Sequence, residues 1–271
     1  MARWIRFTHR GEPGFGTLDG DTVRVHEGDM FVGAQPTGAV LPLSQVVLLC
    51  PVQPTTVIAL YNNFAASLDK LQQSRPAEPL YLIKTPNTYL DPGAVIAQPA
   101  SNSRVIFEGE LALVIGRRCK EVSEDEAMAH VFGVTCANDV TAADILTRDR
   151  SFVQWSRAKG FDGFCPFGPA VATGLDVARL TVRTLLNGVE RQRYPMSDML
   201  FSVSELVSRL SHDMTLLPGD LILCGTSLGV GVMKPGSTIE VEIDGVGRLS
   251  NRFERPAALG TGHDVALAAT H

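Results

Sequence analysis

Three carboxylates occupy places in the sequence where ligands for a hard divalent cation could arise. The segment VIFEGELALVIG, residues 105–116, is apolar enough for one buried strand, yet it contains Glu108 and Glu110. On a strand these two side chains share a face, and two like charges on a semi-buried face require a positive group between them. Asp139 follows another apolar run, VFGVTCAN, at the start of a loop. Carboxylate oxygens suit Mg²⁺ or Mn²⁺, so the pattern indicates a metal site.

A second pair of glutamates shows that spacing alone does not decide between a site and a surface. In STIEVEIDG, residues 237–245, three acidic residues alternate with three aliphatic ones before an Asp-Gly turn. Clean alternation is typical of a sheet with one solvated face, so we expect Glu240 and Glu242 in water. An Asp at a loop start, such as Asp139, is often only a turn former. On spacing alone, structural roles stay open for the first three carboxylates as well.

Size and composition are those of a globular protein of ordinary charge and permit an enzyme. The chain has 271 residues, of which 45% are hydrophobic and 20% charged, with a formal net charge of -5 at pH 7. This mild acidity argues against nucleic-acid binding. No apolar run reaches the roughly 18–20 residues of a membrane span, and the first residues contain no signal-peptide core. We therefore expect a cytoplasmic protein without a membrane partner, whose five cysteines are buried free thiols.

Strand patterns dominate the chain and divide it into three parts. Short alternating segments joined by an Asp-Gly turn fill residues 1–50 and predict a small N-terminal β-domain. Pro51 and Pro54 then precede the apolar strand TVIAL, and we assign the main domain to residues 51–254. Residues 255–271 have no periodic pattern and are expected to form a flexible tail.

Helices are few and short in this interpretation. SEDEAMAHVF, residues 123–132, begins with a capping-box pattern. SVSELVSRLSHDM, residues 202–214, has one apolar stripe. The predicted fold class is therefore α+β and dominated by β-structure.

Six blocks of sequence resemble the fumarylacetoacetate hydrolase family, in the family's order, from about Val57 to Phe253. The blocks are FEGELALVIGRRCKEVSEDEA, FGVTCANDVTAAD, RAKGFDGFCPFGP, LLNGVERQ, LLPGDLILCGT and GVGRLSNR. The resemblance implies a mixed, rolled β-sheet and a homodimer. It also implies that Glu108, Glu110 and Asp139 bind Mg²⁺, with Mn²⁺ as the alternative ion.

The resemblance further implies roles for residues around the metal. Lys159 matches a lysine that stabilises a developing enolate oxygen or a bound carboxylate. Thr226, with the backbone of Gly225, matches a loop that holds a substrate carboxylate. Lys84 and Gln154 match other pocket positions. Taken one at a time these would be surface or turn residues, because a site is recognised by convergent groups.

One segment departs from the pattern of the family's hydrolases. Those enzymes carry Gly-x-Asn-Tyr, then a His and, three residues later, a Glu that together activate water; this chain has VIALYNNFAASLDK. Asn62 keeps the Asn and is a candidate substrate-binding residue. Ala66 stands at the His and Asp69 at the Glu. The loss of the pair counts against hydrolysis and leaves Asp69 as the candidate general acid or base.

These expectations describe a divalent-metal-dependent enzyme that acts on a small 2-oxo or β-dicarbonyl acid through an enolate. Isomerisation or decarboxylation is favoured, as in a 2-hydroxyhepta-2,4-diene-1,7-dioate isomerase of aromatic-compound catabolism. C–C bond hydrolysis of the acylpyruvase or fumarylacetoacetase type is the first alternative. A family member that only binds metal and ligand is the second, because a fold does not guarantee an activity.

Overall fold

The computed structural model describes residues 1–101 and 103–256, so most of the predicted tail at 255–271 lies outside the described residues. The strands in this part of the chain are β1 (Arg3–His9), β2 (Glu12–Asp19), β3 (Thr22–Glu27), β4 (Gln35–Pro42), β5 (Val47–Leu49), β6 (Val57–Tyr61), β7 (Leu80–Lys84), β8 (Tyr89–Leu90), β9 (Val95–Ala97), β10 (Val105–Phe107), β11 (Gly109–Ile115), β12 (Val131–Asn138), β13 (Thr141–Ala142), β14 (Cys165–Ala172), β15 (Thr181–Leu186), β16 (Val189–Pro195), β17 (Leu221–Leu223), β18 (Gly231–Val232), β19 (Ser237–Ile243) and β20 (Gly247–Glu254). The α-helices are α1 (Ala65–Leu71), α2 (Glu124–Ala127), α3 (Ala143–Leu146), α4 (Trp155–Lys159) and α5 (Val203–Asp213). Short 3-10 helices cover Leu43–Gln45, Pro86–Thr88, Met128–His130, Val177–Arg179 and Met196–Asp198.

A large mixed sheet forms the centre of the molecule. Across the described residues its order is β4-β3-β2-β1-β14-β12-β11-β17-β6-β7, with β5 beside β1 and β8 beside β14. β11 is antiparallel to β12 and β17, whereas β17 and β6 are parallel. Every residue of β11 is buried, because core side chains cover both faces of this strand. The predicted β-dominated α+β fold with a mixed sheet is confirmed.

The N-terminal strands extend this sheet. β1 pairs with β14, and β1 to β4 follow one another as antiparallel neighbours. β2 ends at Asp19 and β3 begins at Thr22, so the predicted hairpin turn is confirmed. Whether residues 1–50 form a domain of their own stays a prediction.

Both predicted helix starts are confirmed. Ser123 and Glu126 form a reciprocal capping box at the start of α2, and the hydroxyl of Ser202 accepts a hydrogen bond from the Glu205 N–H at the start of α5.

None of the helices in residues 1–101 and 103–256 is both long and apolar enough to cross a membrane. All five cysteines lie in these ranges as free thiols, and all but the half-buried Cys50 are buried.

The segment 105–116 forms two strands instead of the one expected. β10 pairs with β13 and β18 in a small sheet, whereas β11 belongs to the main sheet. Glu108 lies at the corner between them. Its N–H donates to Asn138 Oδ1 and its C=O accepts from the Asp139 N–H, both at 2.9 Å. Sequence periodicity did not reveal this corner, because the residues on both sides of it are apolar.

The prediction that Glu242 lies in water on a solvated face of β19 is wrong, because this residue is only 8% exposed. β19 lies between β15 and β20 in a five-stranded sheet with β16 and β9. Arg183 and Arg248, directly opposite Glu242 on these neighbours, pair with its carboxylate, and Arg248 also bonds Glu240 at 2.9 Å. The alternation was interpreted correctly as an apolar and an acidic face, but arginines from adjacent strands cover the acidic one.

Asp220 ties β17 to the chain entering β6, the two strands that lead into the candidate site. Its carboxylate accepts hydrogen bonds of 2.7–2.9 Å from the N–H groups of Thr55, Thr56 and Leu217 and from the Thr55 hydroxyl. The residue is 1% exposed. One buried charge therefore holds three backbone donors in place.

Replacing Asp220 by Ala is expected to lower the free energy of unfolding by about 3 kcal/mol, because charge-assisted bonds are lost and donors are left without an acceptor. Urea unfolding measures this loss. The control is Asp244→Ala, whose side chain is 92% exposed and whose loss is expected to stay within about 0.5 kcal/mol. Equal destabilisation by the two substitutions would contradict the assignment.

Candidate metal centre and active site

Glu108, Glu110 and Asp139 come together where strands of the main sheet begin and end. Carboxylate oxygens of the three residues lie within 4.8 Å of one another. Glu108 stands at the corner before β11, and Glu110 is the second residue of β11. Asp139 follows β12, whose last residue, Asn138, is opposite Gly109. Because β11 and β12 are antiparallel, the end of one delivers its side chain to the start of the other.

Two buried lysines each bind one oxygen of the Asp139 carboxylate. Lys84 Nζ lies 2.6 Å from Oδ1, and Lys159 Nζ lies 2.6 Å from Oδ2. Lys159 also donates to Glu108 Oε2 at 2.9 Å, and Lys84 donates to the Lys159 carbonyl at 3.0 Å. Lys84 is the last residue of β7 and Lys159 the last of α4, so the cluster joins a strand and a helix that are distant in sequence.

Burial and charge act differently on the pKa values of the cluster. Burial raises the pKa of Glu110 well above its ordinary value, and the negative charges of Asp139 and Glu108 raise it further. Burial would also raise the pKa of Asp139, but the ammonium groups of Lys159 and Lys84 outweigh this effect and hold it below the usual value. Glu110 is thus the carboxylate that the protein's own cations compensate least.

One oxygen of Glu110 lacks a partner that a cation would supply. Glu110 Oε2 accepts from the Gly225 N–H at 2.7 Å. Oε1 is buried and, within the described ranges, has no hydrogen-bond partner. Leaving a buried carboxylate oxygen unpaired is costly, and a divalent cation would both pair it and offset the repulsion among the three acids. The donor set, carboxylate oxygens only, fits Mg²⁺ or Mn²⁺.

The loop after β17 is bonded to the corner that carries the glutamates. Thr226 donates its hydroxyl proton to the Gly109 C=O at 2.9 Å and accepts from Gln192 Nε2 at 2.9 Å. Gln192 Oε1 in turn accepts from the Gly109 N–H at 3.0 Å. Gly225 has φ +90, and a Cβ there would lie 3.2 Å from the Leu60 C=O, so the turn requires glycine. Gln192 ends the block LLNGVERQ, but neither its residue type nor its spacing predicted a place in the site.

A cavity of about 380 Å³ opens over Glu108 and Lys159. Its walls are mostly apolar and include Leu60, Leu71, Leu82, Leu146, Leu228 and Val230. Tyr61 and Trp155 also line it, with ring centroids 4.8 Å apart. We call Glu108 and Lys159 the floor of the cavity. Lys159 Nζ lies 6.0 Å from the centroid of the Trp155 ring, so this charged floor adjoins an aromatic wall.

The predicted site residues fall into three groups. Those that line the cavity are Asn62, Glu108, Lys159 and Thr226. Those bonded to one another or to these residues from outside the lining are Lys84, Glu110, Asp139 and Gly225. Gln154 and Asp69 belong to neither group: Gln154 is the N-cap of α4, bonded through its backbone, and Asp69 is an exposed residue of α1.

The short helix α1 does not present Asp69, the expected residue, to the cavity. Ser67, Lys70 and Leu71 line it, at the i, i+3 and i+4 positions that share one helix face. Ala66 and Asp69 are not in the lining, and the Ala66 N–H donates to Asp198 Oδ2 at 3.1 Å. A helical period applied to this segment would have identified Ser67 and Lys70.

Comparison with known proteins identifies the family. The family model described as fumarylacetoacetate (FAA) hydrolase C-terminal matches residues 56–254. The chain belongs to the fumarylacetoacetate hydrolase family. A second model, Rv2993c-like, N-terminal, matches residues 2–51. The resemblance drawn from the six sequence blocks is confirmed.

Relatives within this family carry out different reactions. The bifunctional isomerase/decarboxylase of 4-hydroxyphenylacetate degradation from Salmonella dublin is 39% identical over 201 residues, which cover 73% of this chain and 46% of that protein. The structure of 2-hydroxyhepta-2,4-diene-1,7-dioate isomerase from Mycobacterium marinum is 37% identical, with TM-score 0.87 over 95% of this chain and 100% of that one. Maleylpyruvate hydrolase from Sphingobium sp. SYK-6, solved with manganese (II) and pyruvate, is 26% identical, with TM-score 0.75 over 93% and 99%.

Mg²⁺ or Mn²⁺ is expected to raise the melting temperature, and a chelator to reverse the effect. At about 100 times the Kd, the ion would add about 2.7 kcal/mol, or roughly 5–10 °C for a chain of this size. Glu110→Gln keeps the side-chain shape but removes a ligand charge, so we expect it to abolish most of the shift. Glu124→Gln, at an exposed position, should keep all of it. A full metal-dependent shift in the Glu110→Gln protein would rule out this cluster as the binding site.

Proposed function

We propose that the protein is a divalent-metal-dependent enzyme that acts on a small 2-oxo or β-dicarbonyl acid through an enolate. Isomerisation or decarboxylation is the favoured reaction. The observation that supports this most directly is the cluster of Glu108, Glu110 and Asp139, of which Glu108 lines a mostly apolar cavity and the other two are buried behind it. The isomerase and decarboxylase among its relatives agree with it.

The three carboxylates would hold Mg²⁺, or Mn²⁺ as the alternative. When bound, such an ion supplies Lewis-acid stabilisation of negative charge on a substrate oxygen. Lys159 adds a cation of the chain's own at the cavity floor, where exclusion of water strengthens its effect on a developing oxyanion. Lys84 acts as a positioning residue, because its ammonium group holds both Asp139 Oδ1 and the carbonyl of Lys159.

Substrate contacts are proposed for residues of the cavity wall. Asn62 and Thr226 line the cavity beside Lys159. The hydroxyl proton of Thr226 is already donated to Gly109, so towards a ligand this hydroxyl acts as an acceptor unless that bond breaks. Gly225 supports this loop from behind through its bond to Glu110. For Gln154, the position at the start of α4 supports an indirect role through Trp155 rather than direct contact.

The residues around the cavity favour enolate chemistry over hydrolysis. Hydrolysis needs a group that activates water, and among the described residues that line the cavity none is a histidine, nor is Asp69 one of them. Decarboxylation needs charge stabilisation on the enolate oxygen, which the floor supplies, whereas isomerisation needs in addition a group that carries a proton between two atoms of the substrate. C–C bond hydrolysis is the second candidate, and the similarity to a maleylpyruvate hydrolase favours it.

The proposal extends to assembly and location. We propose a cytoplasmic homodimer that serves the breakdown of aromatic compounds, on the basis of the family resemblance and the composition. Mass measurement in solution tests the dimer, and cell fractionation tests the location.

Comparison of three substrate classes tests the reaction. With Mg²⁺, the wild type is expected to isomerise 2-hydroxy-dienoate diacids or decarboxylate oxaloacetate faster than it hydrolyses acylpyruvates. Lys159→Met should lower kcat by about 10²–10³, because it removes a charge aimed at the oxyanion. Asp69→Asn should change kcat by no more than about twofold, since its side chain is exposed outside the cavity lining.

Three outcomes would contradict parts of this proposal. Dominant metal-dependent hydrolysis of acylpyruvates would overturn the preference for isomerisation or decarboxylation. A large loss of kcat in Asp69→Asn would assign the general acid or base to Asp69. Unchanged kcat in Lys159→Met, in protein that still shows the metal-dependent thermal shift, would remove Lys159 from the chemistry.

A further inference from the structure

Lys70 is a cation of the cavity wall for which the described part of the chain supplies no partner. It lines the cavity from α1, together with Ser67 and Leu71. Within residues 1–101 and 103–256 its ammonium group forms no salt bridge and no hydrogen bond. The other lysine in the lining, Lys159, is committed to Asp139 and Glu108. Within the described residues, the lysine at the floor of the cavity is therefore paired with carboxylates, whereas the lysine on its wall is not.

Apolar side chains line the same cavity as Lys70. Leu71 follows Lys70 on the same helix, and Leu82, Tyr61 and Trp155 line the same cavity. A ligand chain lying on these side chains gains from burial, at roughly 25 cal/mol per Å² of apolar surface. A ligand that places an anion beside Lys70 gains in addition from a charged hydrogen bond. Both requirements are met by a molecule with an apolar middle and an acidic group at its far end.

The size of the cavity agrees with such a ligand. Its volume of about 380 Å³ lies within the roughly 300–1,000 Å³ of small-molecule sites. This leaves room beyond a three-carbon oxo acid bound at the floor.

We propose that Lys70 is a specificity residue that binds the distal carboxylate of a dicarboxylic 2-oxo acid, whose apolar chain lies along the wall of Leu71, Leu82 and Trp155. The inference rests on the proposed function, because it assumes that the oxo-acid end occupies the floor at Glu108 and Lys159. Lys70 thereby selects diacids over monoacids of the same length and takes no part in the reaction itself.

Two matched ligands and one substitution test the inference on the full-length, Mg²⁺-loaded protein. 2-Oxoheptanedioate and 2-oxoheptanoate have the same number of carbons and differ in the terminal carboxylate. Calorimetry should find the diacid bound about 2–5 times more tightly by the wild type, the gain of an ion pair with the exposed Lys70. Lys70→Met keeps the apolar stem and should reduce this ratio to about 1 without changing the affinity for the monoacid.

Two controls separate selectivity from folding. Lys70→Arg keeps the charge and should preserve most of the preference for the diacid. Lys234→Met changes an exposed lysine that is not in the cavity lining and should leave both affinities unchanged. The metal-dependent thermal shift checks that each variant retains the floor of the site.

Three results would overturn the inference. Equal binding of the two ligands by the wild type, or tighter binding of the monoacid, would mean that the distal end of the ligand lies on apolar surface and not beside Lys70. Equal weakening of both ligands in Lys70→Met would assign Lys70 to the oxo-acid end. Absence of binding of either ligand to the wild type would exclude such acids from the cavity.

A separate readout keeps failure of this inference distinct from failure of the proposed function. Metal-dependent exchange of the C3 protons of pyruvate for solvent deuterium reports enolate formation and needs no distal carboxylate. Exchange that is lost in Glu110→Gln would support the proposed function even where the preference for diacids is absent. Absence of exchange in the wild type would count against the function itself.

Discussion

The carboxylate of Asp139, held between the ammonium groups of Lys84 and Lys159, is the interaction on which the site depends. It connects the end of β12 with the ends of β7 and α4, which no local contact would bring together. Lys159 also pairs with Glu108, whereas Glu110, whose pKa burial raises well above its ordinary value, forms no salt bridge within the described residues. With a divalent cation bound, three ionised carboxylates and two ammonium groups would leave a formal excess of one positive charge, which suits an anionic substrate. Such buried charges are stable only when each has a partner.

The glutamates reach this cluster because the chain turns a corner through a glycine. A Cβ on Gly109 would lie 1.9 Å from Thr184 Oγ1, so a larger residue does not fit without rearrangement. The backbone of Gly109 is also bonded by Gln192, Thr226 and Tyr194, which fix both its N–H and its C=O. The Glu-Gly-Glu order is therefore a packing requirement as much as a chemical one. It places one carboxylate in the cavity and the other, Glu110, beneath it against the loop after β17.

The floor and the wall of the site have separable roles. The floor consists of side chains from strand ends and α4, packed so tightly that its cations and carboxylates have little freedom. The wall includes α1, a helix of seven residues in which only Leu68 is buried. Substitutions on such an element change what the cavity selects while the floor stays intact, which is how one fold supports several reactions. In this chain, the helix presents Ser67 and Lys70 to the cavity, whereas Ala66 and Asp69, which the sequence places at the hydrolases' His and Glu, are not in its lining.

The sequence by itself determined the β-dominated fold class, the family and the carboxylates to examine, because apolar runs, capping residues and short motifs are local features. It did not determine that the strand breaks at Glu108, since the residues on both sides are equally apolar. It also did not determine that arginines cover Glu242, or that two lysines share Asp139, because these partners come from other elements. Only the tertiary structure decided that Lys70, rather than Asp69, faces the cavity. The rotation of a short helix is set by what packs against it, and a list of residue types does not contain that information.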